Sequence, residues 1–392
     1  MMNIHIDTSY KSLNKAGEEL CGDKVEIIRT DDSIIMVLAD GLGSGVKANI
    51  LATLTSKIIA TMLKEGARID EAVETIASTL PICSVRKIAY STFSILQVFH
   101  NGEAYLAEFD NPSCVFIRNG QLMSLPSESR EIAGKMITES RFSIAIDDVF
   151  TFMSDGVTHA GIGAILNLGW QWENVAEHLL KAVKTEHTAA RIAASLSQVC
   201  DHLYMGSPGD DTTVAVAKIT RSKVVNLLTG PPINKEDDER FVRDFMREPG
   251  KRIVCGGTSA NIVSRVLNRQ IQTTLDYPDD VSIPPIAKID GIDLVTEGVL
   301  TLSKAVEILR GYTSNNVDED YFKKLDSDNG AAMLAKMLLE ECTCLNLFIG
   351  RSINPAHQNP NLPMDLSIKL RIIGELSELI SNLGKKVECT YY

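Results

Sequence analysis

The chain has 392 residues, 44% of them hydrophobic, which is enough for two or three domains that each bury a core. Its formal charge of -12 argues against binding to nucleic acid or an acidic membrane, because phosphate surfaces select clustered Lys and Arg; a partner is expected to be a protein. The start of the chain, Met1 to Asp7, has no basic region leading into an apolar stretch, and no apolar run reads as long enough to cross a bilayer. The eight cysteines are scattered, with Cys342 and Cys344 the one close pair and no Cys-x-x-Cys unit, which fits a reduced, cytoplasmic setting.

In chain order, a short strand follows Cys21-Gly22-Asp23, and the apolar run Ile34 to Ala39 reads as a buried strand that ends in Asp40-Gly41. After the turn Gly41-Leu42-Gly43-Ser44-Gly45, Val46, Ile50, Leu54, Ile58 and Met62 recur at helical spacing up to the stop at Gly66, and Ile69 to Leu80 continues as a second helix. Tyr90–Phe99, Glu103–Phe109, Cys114–Arg118 and Gln121–Leu125 are short strands separated by Asn-Gly and Asn-Pro turns, the mark of antiparallel hairpins. Val149 to Ser154 is a strand ending in Asp155-Gly156. Trp172–Val183 and Thr188–Leu203 read as helices, and Gly209-Asp210-Asp211 opens a β-branched closing strand from Thr212 to Ile219.

A boundary is expected near Thr229-Gly230-Pro231-Pro232, where the acidic stretch Glu236 to Glu239 interrupts the pattern; the domains are assigned as 1–220 and 221–392. Beyond it, Arg252–Cys255, the glycine turn Gly256-Gly257-Thr258-Ser259 and Ala260–Leu267 read as strand, turn and helix, with Thr258 or Ser259 as the helix cap. Ser303–Leu309, Gly330–Glu340 and Leu366–Leu383 read as helices, Leu345–Ile349 and Lys386–Thr390 as strands, so the second domain is α/β. Asp293 to Val299 echoes the Asp155 segment but lacks a Gly-Asp-Asp-Thr-Thr counterpart and is taken as a strand ending in a turn. The glycine turn at 256 and the polar loop Gly350 to Pro360 together suggest a small anionic effector if they converge.

Asp-Gly after an apolar strand is by itself an ordinary turn. Two such segments followed by Gly209-Asp210-Asp211, where the carboxylates precede the strand, with the glycine run directly after Asp40, are poorly explained as independent turns. Carboxylates gathered at strand ends repel one another unless a cation compensates, and an oxygen-only set without His or Cys selects a hard ion, Mg²⁺ or Mn²⁺.

Ala39-Asp40-Gly41-Leu42-Gly43-Ser44-Gly45, Met153-Ser154-Asp155-Gly156 and Gly209-Asp210-Asp211-Thr212-Thr213-Val214 resemble the metal-dependent Ser/Thr protein phosphatases of the PPM superfamily, in the bacterial branch typified by stage II sporulation protein E. The resemblance covers roughly the first 220 residues. It implies an α+β fold for that part, a four-layer sandwich of two antiparallel sheets flanked by helices with a two-metal centre at one edge. By motif position, Asp40 would bridge two Mn²⁺ or Mg²⁺ ions, Gly41 would offer its carbonyl, Asp23 would serve one ion, and Asp155 and Asp210 the other. Asp40, Asp155 and Asp210 would then be the catalytic set, with Asp211 orienting a ligand or water. The implied function is hydrolysis of phosphoserine or phosphothreonine by a water that two cations acidify, while they also neutralise the phosphoryl oxygens. The implied partner is a phosphorylated regulatory protein such as an anti-sigma-factor antagonist.

Other readings are weaker. A phosphatase-like module that binds without turnover would be free to lose a costly acidic cluster, and a dinucleotide site fails because Asp40 precedes the glycines. Leu42 stands where eukaryotic members of the superfamily carry a His, so the general acid is unassigned. His159 is read as an ordinary surface or core histidine rather than its replacement. Lys47 and Arg130 are the conceivable phosphate-holding cations.

Overall fold

The computed structural model describes residues 4–79, 91–273, 287–313, 317–352 and 365–392. The chain forms two units, Met1–Arg221 and Ser222–Tyr392. The first contains, in order, β1 (Ile4–Leu13), β2 (Asp23–Arg29), β3 (Ser33–Asp40), α1 (Gly45–Lys64), α2 (Ile69–Thr79), β4 (Thr92–Phe99), β5 (Glu103–Phe109), β6 (Val115–Arg118), β7 (Gln121–Met123), β8 (Glu128–Ile132), β9 (Lys135–Ser143), β10 (Val149–Met153), α3 (Asp155–Thr158), α4 (Trp172–Thr185), α5 (Ala189–Leu203) and β11 (Thr212–Arg221). One sheet runs β1-β11-β10-β6-β7 and the other β2-β3-β4-β5-β9-β8, with every pairing antiparallel.

The unbroken apolar run of β3 is explained by what covers its faces. Ile35 and Val37 pack with Ile59, Leu63 and Ile76 from α1 and α2. The alternate residues, Ile34, Met36 and Leu38, meet Phe150, Phe152 and Ala215 of the other sheet. A strand buried on both sides cannot alternate polar and apolar residues. The far face of the second sheet does the same, with Val149, Val214 and Val216 against Val175, Leu179, Ile192 and Leu196 of α4 and α5. The layers are therefore helices, sheet, sheet, helices, and stacked rings of Phe116 and Phe150, 4.7 Å apart, lie between the sheets.

Several details differ from expectation. The stripe of Val46, Ile50 and Leu54 on α1 faces outward, 43 to 59% exposed, and the buried side is the less conspicuous set Ala48, Ala52, Thr55, Ser56, Ile59, Ala60 and Leu63. Small residues there let the helix lie close to the sheet. At 20 residues α1 is also long and apolar enough to span a bilayer by length and composition, contrary to the sequence reading, but one side of it is packed on β2 and β3. Of the four short strands expected, β4 and β5 join β2 and β3 in a sheet that the unexpected β8 and β9 extend, while β6 and β7 pair beside β10 in the other sheet.

The second unit contains β12 (Val224–Thr229), α6 (Asp238–Arg247), β13 (Lys251–Cys255), α7 (Gly257–Leu267), β14 (Gln272–Thr273), β15 (Ala287–Lys288), β16 (Leu294–Thr296), α8 (Val299–Thr313), α9 (Glu319–Leu325), α10 (Gly330–Glu340), β17 (Cys344–Ile349), α11 (Asp365–Asn382) and β18 (Lys386–Tyr391). Its sheet order is β14-β15-β16-β13-β12-β17-β18, and β16, β13, β12, β17 and β18 are mutually parallel. The order reverses between β12 and β17, as in doubly wound α/β sheets. The turn at Thr229 to Pro232 therefore does not separate the units; it follows the central strand of the second. The acidic stretch read as an interruption is a 3-10 turn, Lys235–Asp237, that runs into the first turn of α6 at Asp238 and Glu239, where carboxylates suit a helix N-terminus. Gly256, at φ +114, occupies the cap position of α7 in place of Thr258 or Ser259. Of the Gly350 to Pro360 loop, residues 353–360 lie outside the described residues.

Candidate active site

The antiparallel register of β2 with β3 sets Asp23 directly opposite Asp40. Pairing of β10 with β11 ends at Met153 and Val214, so Ser154-Asp155 and Asp211-Thr212 leave the same end of the neighbouring ladder. Two bonds hold that end closed: Ser154 N donates to Thr213 O at 3.0 Å, and Thr213 N donates to Ser154 Oγ at 2.8 Å. Asp155 opens α3, and Asp210 and Asp211 precede β11.

Close approach of the chains requires glycine at two of these places. A Cβ on Gly41 would lie 2.0 Å from Ala48 O of α1, and one on Gly156 would lie 2.1 Å from Asp211 O. Gly in both Asp-Gly pairs thus lets the strand ends and helix α1 crowd around the carboxylates. The phenol of Tyr204, at the end of α5, donates to Gly156 O at 2.7 Å and pins the second segment.

The electrostatics are those of an uncompensated acidic cluster. Asp23 is 4% exposed, and neither of its carboxylate oxygens has a hydrogen-bond partner. Burial raises its pKa first, and the charges of Asp211 and Asp155 raise it further; the hydroxyls of Ser154 and Thr213 stand near enough to soften this without bonding the carboxylate. Asp40 is likewise held well above the ordinary carboxylate range by burial, then by Asp23, Asp155 and Asp210. Burial also raises Asp155, with His159 opposing and Asp210 adding to the shift. Asp211 Oδ1 accepts Lys15 N at 3.0 Å, while its Oδ2 is buried and unpartnered.

Among the described residues, no three or more His, Cys, Asp or Glu side chains are drawn together closely enough to coordinate an ion as they stand. The donor set nevertheless fits a divalent metal. Carboxylate oxygens buried without a donor must either hold a proton or meet a cation, and the neighbouring carboxylates make the second outcome the more stabilising one. The oxygen-only chemistry of Asp23, Asp40, Asp155 and Asp210 suits Mn²⁺ or Mg²⁺.

The cationic candidates separate clearly. Arg130 is bonded to Asp70 at 2.7 Å and to Glu139, on the outer strand β8, so its charge is committed there. Lys47 is exposed on the first turn of α1. His159, read as an ordinary histidine, stands beside the cluster with Nδ1 3.7 Å from Asp155 Oδ2. Lys15 was not singled out from the sequence, yet its Nζ lies 3.7 Å from Asp210 Oδ1. Tyr204 and Lys15 carry no local signal, each reaching the site through a contact distant in sequence, and Ser154, although within a motif, gained its role only from its bond to Thr213.

In comparisons with known proteins, residues 30–220 match the family model described as Stage II sporulation protein E (SpoIIE). A segment of 47 residues is 47% identical to phosphoserine phosphatase RsbX of Bacillus subtilis (strain 168), covering 12% of this chain and 24% of that protein. The chain thus spans about a quarter of that curated relative's length. Among solved structures, the PP2C phosphatase domain of SpoIIE from Bacillus subtilis, with a fragment of its regulatory domain, is 20% identical, covering 55% of this chain and 63% of that one at a TM-score of 0.45. RsbX in complex with magnesium is 20% identical, covering 56% of this chain and all of that one (100%) at a TM-score of 0.41. The family-model match thus falls within the N-terminal unit, which holds all four aspartates of the site.

Proposed function

We propose that the chain is a Mn²⁺- or Mg²⁺-dependent protein Ser/Thr phosphatase that removes phosphate from serine or threonine of a regulatory protein. The observation that carries this reading is the register of Asp23 opposite Asp40, with both Asp23 oxygens buried and unpartnered and with Asp155 and Asp210 adding their charge. Asp23, Asp40, Gly41, Asp155 and Asp210 are the residues that would hold a pair of ions. When bound, such ions supply a water acidified toward neutrality and positive charge against the phosphoryl oxygens. The chain's own part is to fix the carboxylates by two closed strand ends, to keep Gly41 and Gly156 free of side chains that would push the segments apart, and to orient Asp210 and Asp211 from one turn.

The RsbX likeness supports a phosphorylated serine as substrate, and an anti-sigma-factor antagonist in the cytoplasm is the partner we propose. For the second unit we propose a regulatory or partner-selecting role through a small anionic effector. What supports it is that both the glycine turn and the first residue of the loop bond to the end of β12: Gly230 N donates to Ser259 Oγ at 2.8 Å, and Gly350 N, after β17, donates to Thr229 O at 2.9 Å. That is the crevice at the reversal of strand order, where ligands of doubly wound sheets bind.

The deciding experiment is hydrolysis of para-nitrophenyl phosphate and of a phosphoserine peptide by the intact protein, with Mn²⁺, with Mg²⁺ and with EDTA. Turnover that needs the cation is expected. A folded protein that binds Mn²⁺ and hydrolyses neither substrate would leave a phosphatase-like binding module in place of the enzyme.

A further inference from the structure

The link between β1 and β2 is bolted to the site from both of its sides. Lys15 N donates to Asp211 Oδ1 at 3.0 Å, and Ala16 N donates to Pro208 O at 2.8 Å, so the backbone at 15–16 is tied to the segment that carries Asp210 and Asp211. Glu18 N closes a turn onto Lys15 O at 3.0 Å, Gly17 within it adopts φ +86, and Ser44 Oγ donates to Glu18 Oε1 at 3.1 Å, which ties the far side of the link to the glycine run after Asp40. Further along, Asn49 Nδ2 of α1 donates to Cys21 O at 2.8 Å. The side chain of Lys15 itself is held by no short hydrogen bond: its Nζ rests 3.7 Å from Asp210 Oδ1, with 37% of the side chain exposed.

A phosphate monoester arrives as a dianion at a site made of aspartates, and carboxylates alone repel it. An ammonium on a four-carbon stem is suited to exchange one oxygen partner for another, because it is a compact charge with rotatable donors rather than a fixed fork. Its present partner, Asp210, is also a residue that would turn toward a divalent cation, which frees the ammonium. Arg130 cannot serve, being bonded to Asp70 and Glu139.

We propose that Lys15 is the substrate-binding cation of this site: paired with Asp210 when the site is uncharged by metal, it passes to the phosphoryl oxygens of the bound phosphoester. The proposal deepens the phosphatase reading and rests on it. The test uses the full chain and its variants Lys15→Met and Lys15→Arg, with three measurements: calorimetric titration of the Mg²⁺-loaded protein with inorganic phosphate, Mn²⁺ affinity by electron paramagnetic resonance, and steady-state hydrolysis of para-nitrophenyl phosphate. Lys15→Met is expected to weaken phosphate binding and raise KM roughly tenfold or more, the loss of a charge-assisted hydrogen bond. Its Mn²⁺ affinity should stay equal or rise, since a competing cation has left Asp210, and Lys15→Arg should recover most of the phosphate affinity. Phosphate binding unchanged in Lys15→Met overturns the proposal, as does a parallel loss of Mn²⁺ and phosphate, which would mean the lysine only holds the loop. Absence of phosphate binding in the unaltered protein also overturns it. Phosphate binding that depends on Lys15, without any turnover, sinks the phosphatase reading and keeps the lysine.

Discussion

Asp40 sits where burial and three neighbouring carboxylates, Asp23, Asp155 and Asp210, all oppose its charge. Asn keeps the shape of the side chain and removes that charge, so in the metal-free protein repulsion falls while packing stays. Asp40→Asn is therefore expected to lose at least about a hundredfold in cation-dependent hydrolysis, in line with loss of a metal-site carboxylate, and to melt in EDTA at an unchanged or higher temperature. Full turnover by this variant with Mn²⁺ would contradict the metal assignment. Glu108 offers a test away from the site. Burial raises its pKa from the ordinary 4.5 to about 7, although Cys114 N donates to its Oε1 at 2.7 Å. The folded protein thus holds a proton that the unfolded chain has already released, so the contribution of Glu108 to stability is full below about 4.5 and declines as pH rises to about 7. In Glu108→Gln that decline should flatten while the bond from Cys114 persists. Urea midpoints measured across this range would show it, and parallel profiles for the two proteins would refute the shift.

Elements with a clear pattern were legible: β3 from its apolar run and Asp-Gly stop, and α10, expected at Gly330–Glu340 and found there, its start fixed by Asn329, whose side chain accepts Ala332 N at 3.0 Å as a helix cap. β8 was not, because four of its five residues are exposed and carry no apolar alternation; it is held by pairing with β9 and by Arg130. The outward stripe of α1 shows the opposite failure, since apolar spacing marks a face without saying which way it turns. The acidic set at the site was readable because residue type and order carry the chemistry, whereas Lys15 meets Asp210 only through the fold. The junction of β9 with β10 has a comparable hidden dependence. Asp148 is fully buried and accepts Arg118 Nε at 2.7 Å, Arg118 Nη2 at 2.6 Å and Ala145 N at 2.7 Å. Arg118→Ala strands this carboxylate, which should cost about 3–5 kcal/mol, the usual penalty for breaking a buried pair from one side. The double variant with Asp148→Asn should recover a large part of that loss. Chemical denaturation of the three proteins measures the coupling, and additive effects would show that the pair is not a unit.

At the scale of the whole molecule, the first unit closes on itself. β11, its last strand, pairs with β1 along its whole length, from Thr212 opposite Leu13 to Arg221 opposite Ile4, and also with β10, so the final residues of the unit form a central strand of one sheet. The second unit begins its own sheet at Val224, in its centre. A cut after Thr229, at the turn the sequence marks as a boundary, would carry that central strand away from its partners β13 and β17 and leave six apolar-rich residues trailing from the first unit. A cut after Arg221 removes nothing from either core. Residues 1–221 and 222–392 are therefore each expected to unfold in a single cooperative transition, and 1–221 to keep most of the cation-dependent hydrolysis of para-nitrophenyl phosphate. Turnover of the physiological phosphoprotein, or its response to an anionic ligand, should change on deletion, because the second unit has the strand-order reversal at which doubly wound sheets bind ligands and no second acidic set was read in its sequence. Circular dichroism melts establish folding first. A fragment 1–221 that melts cooperatively yet fails to hydrolyse the small ester would show that catalysis requires the second unit, and the division of labour argued for the two units would fall.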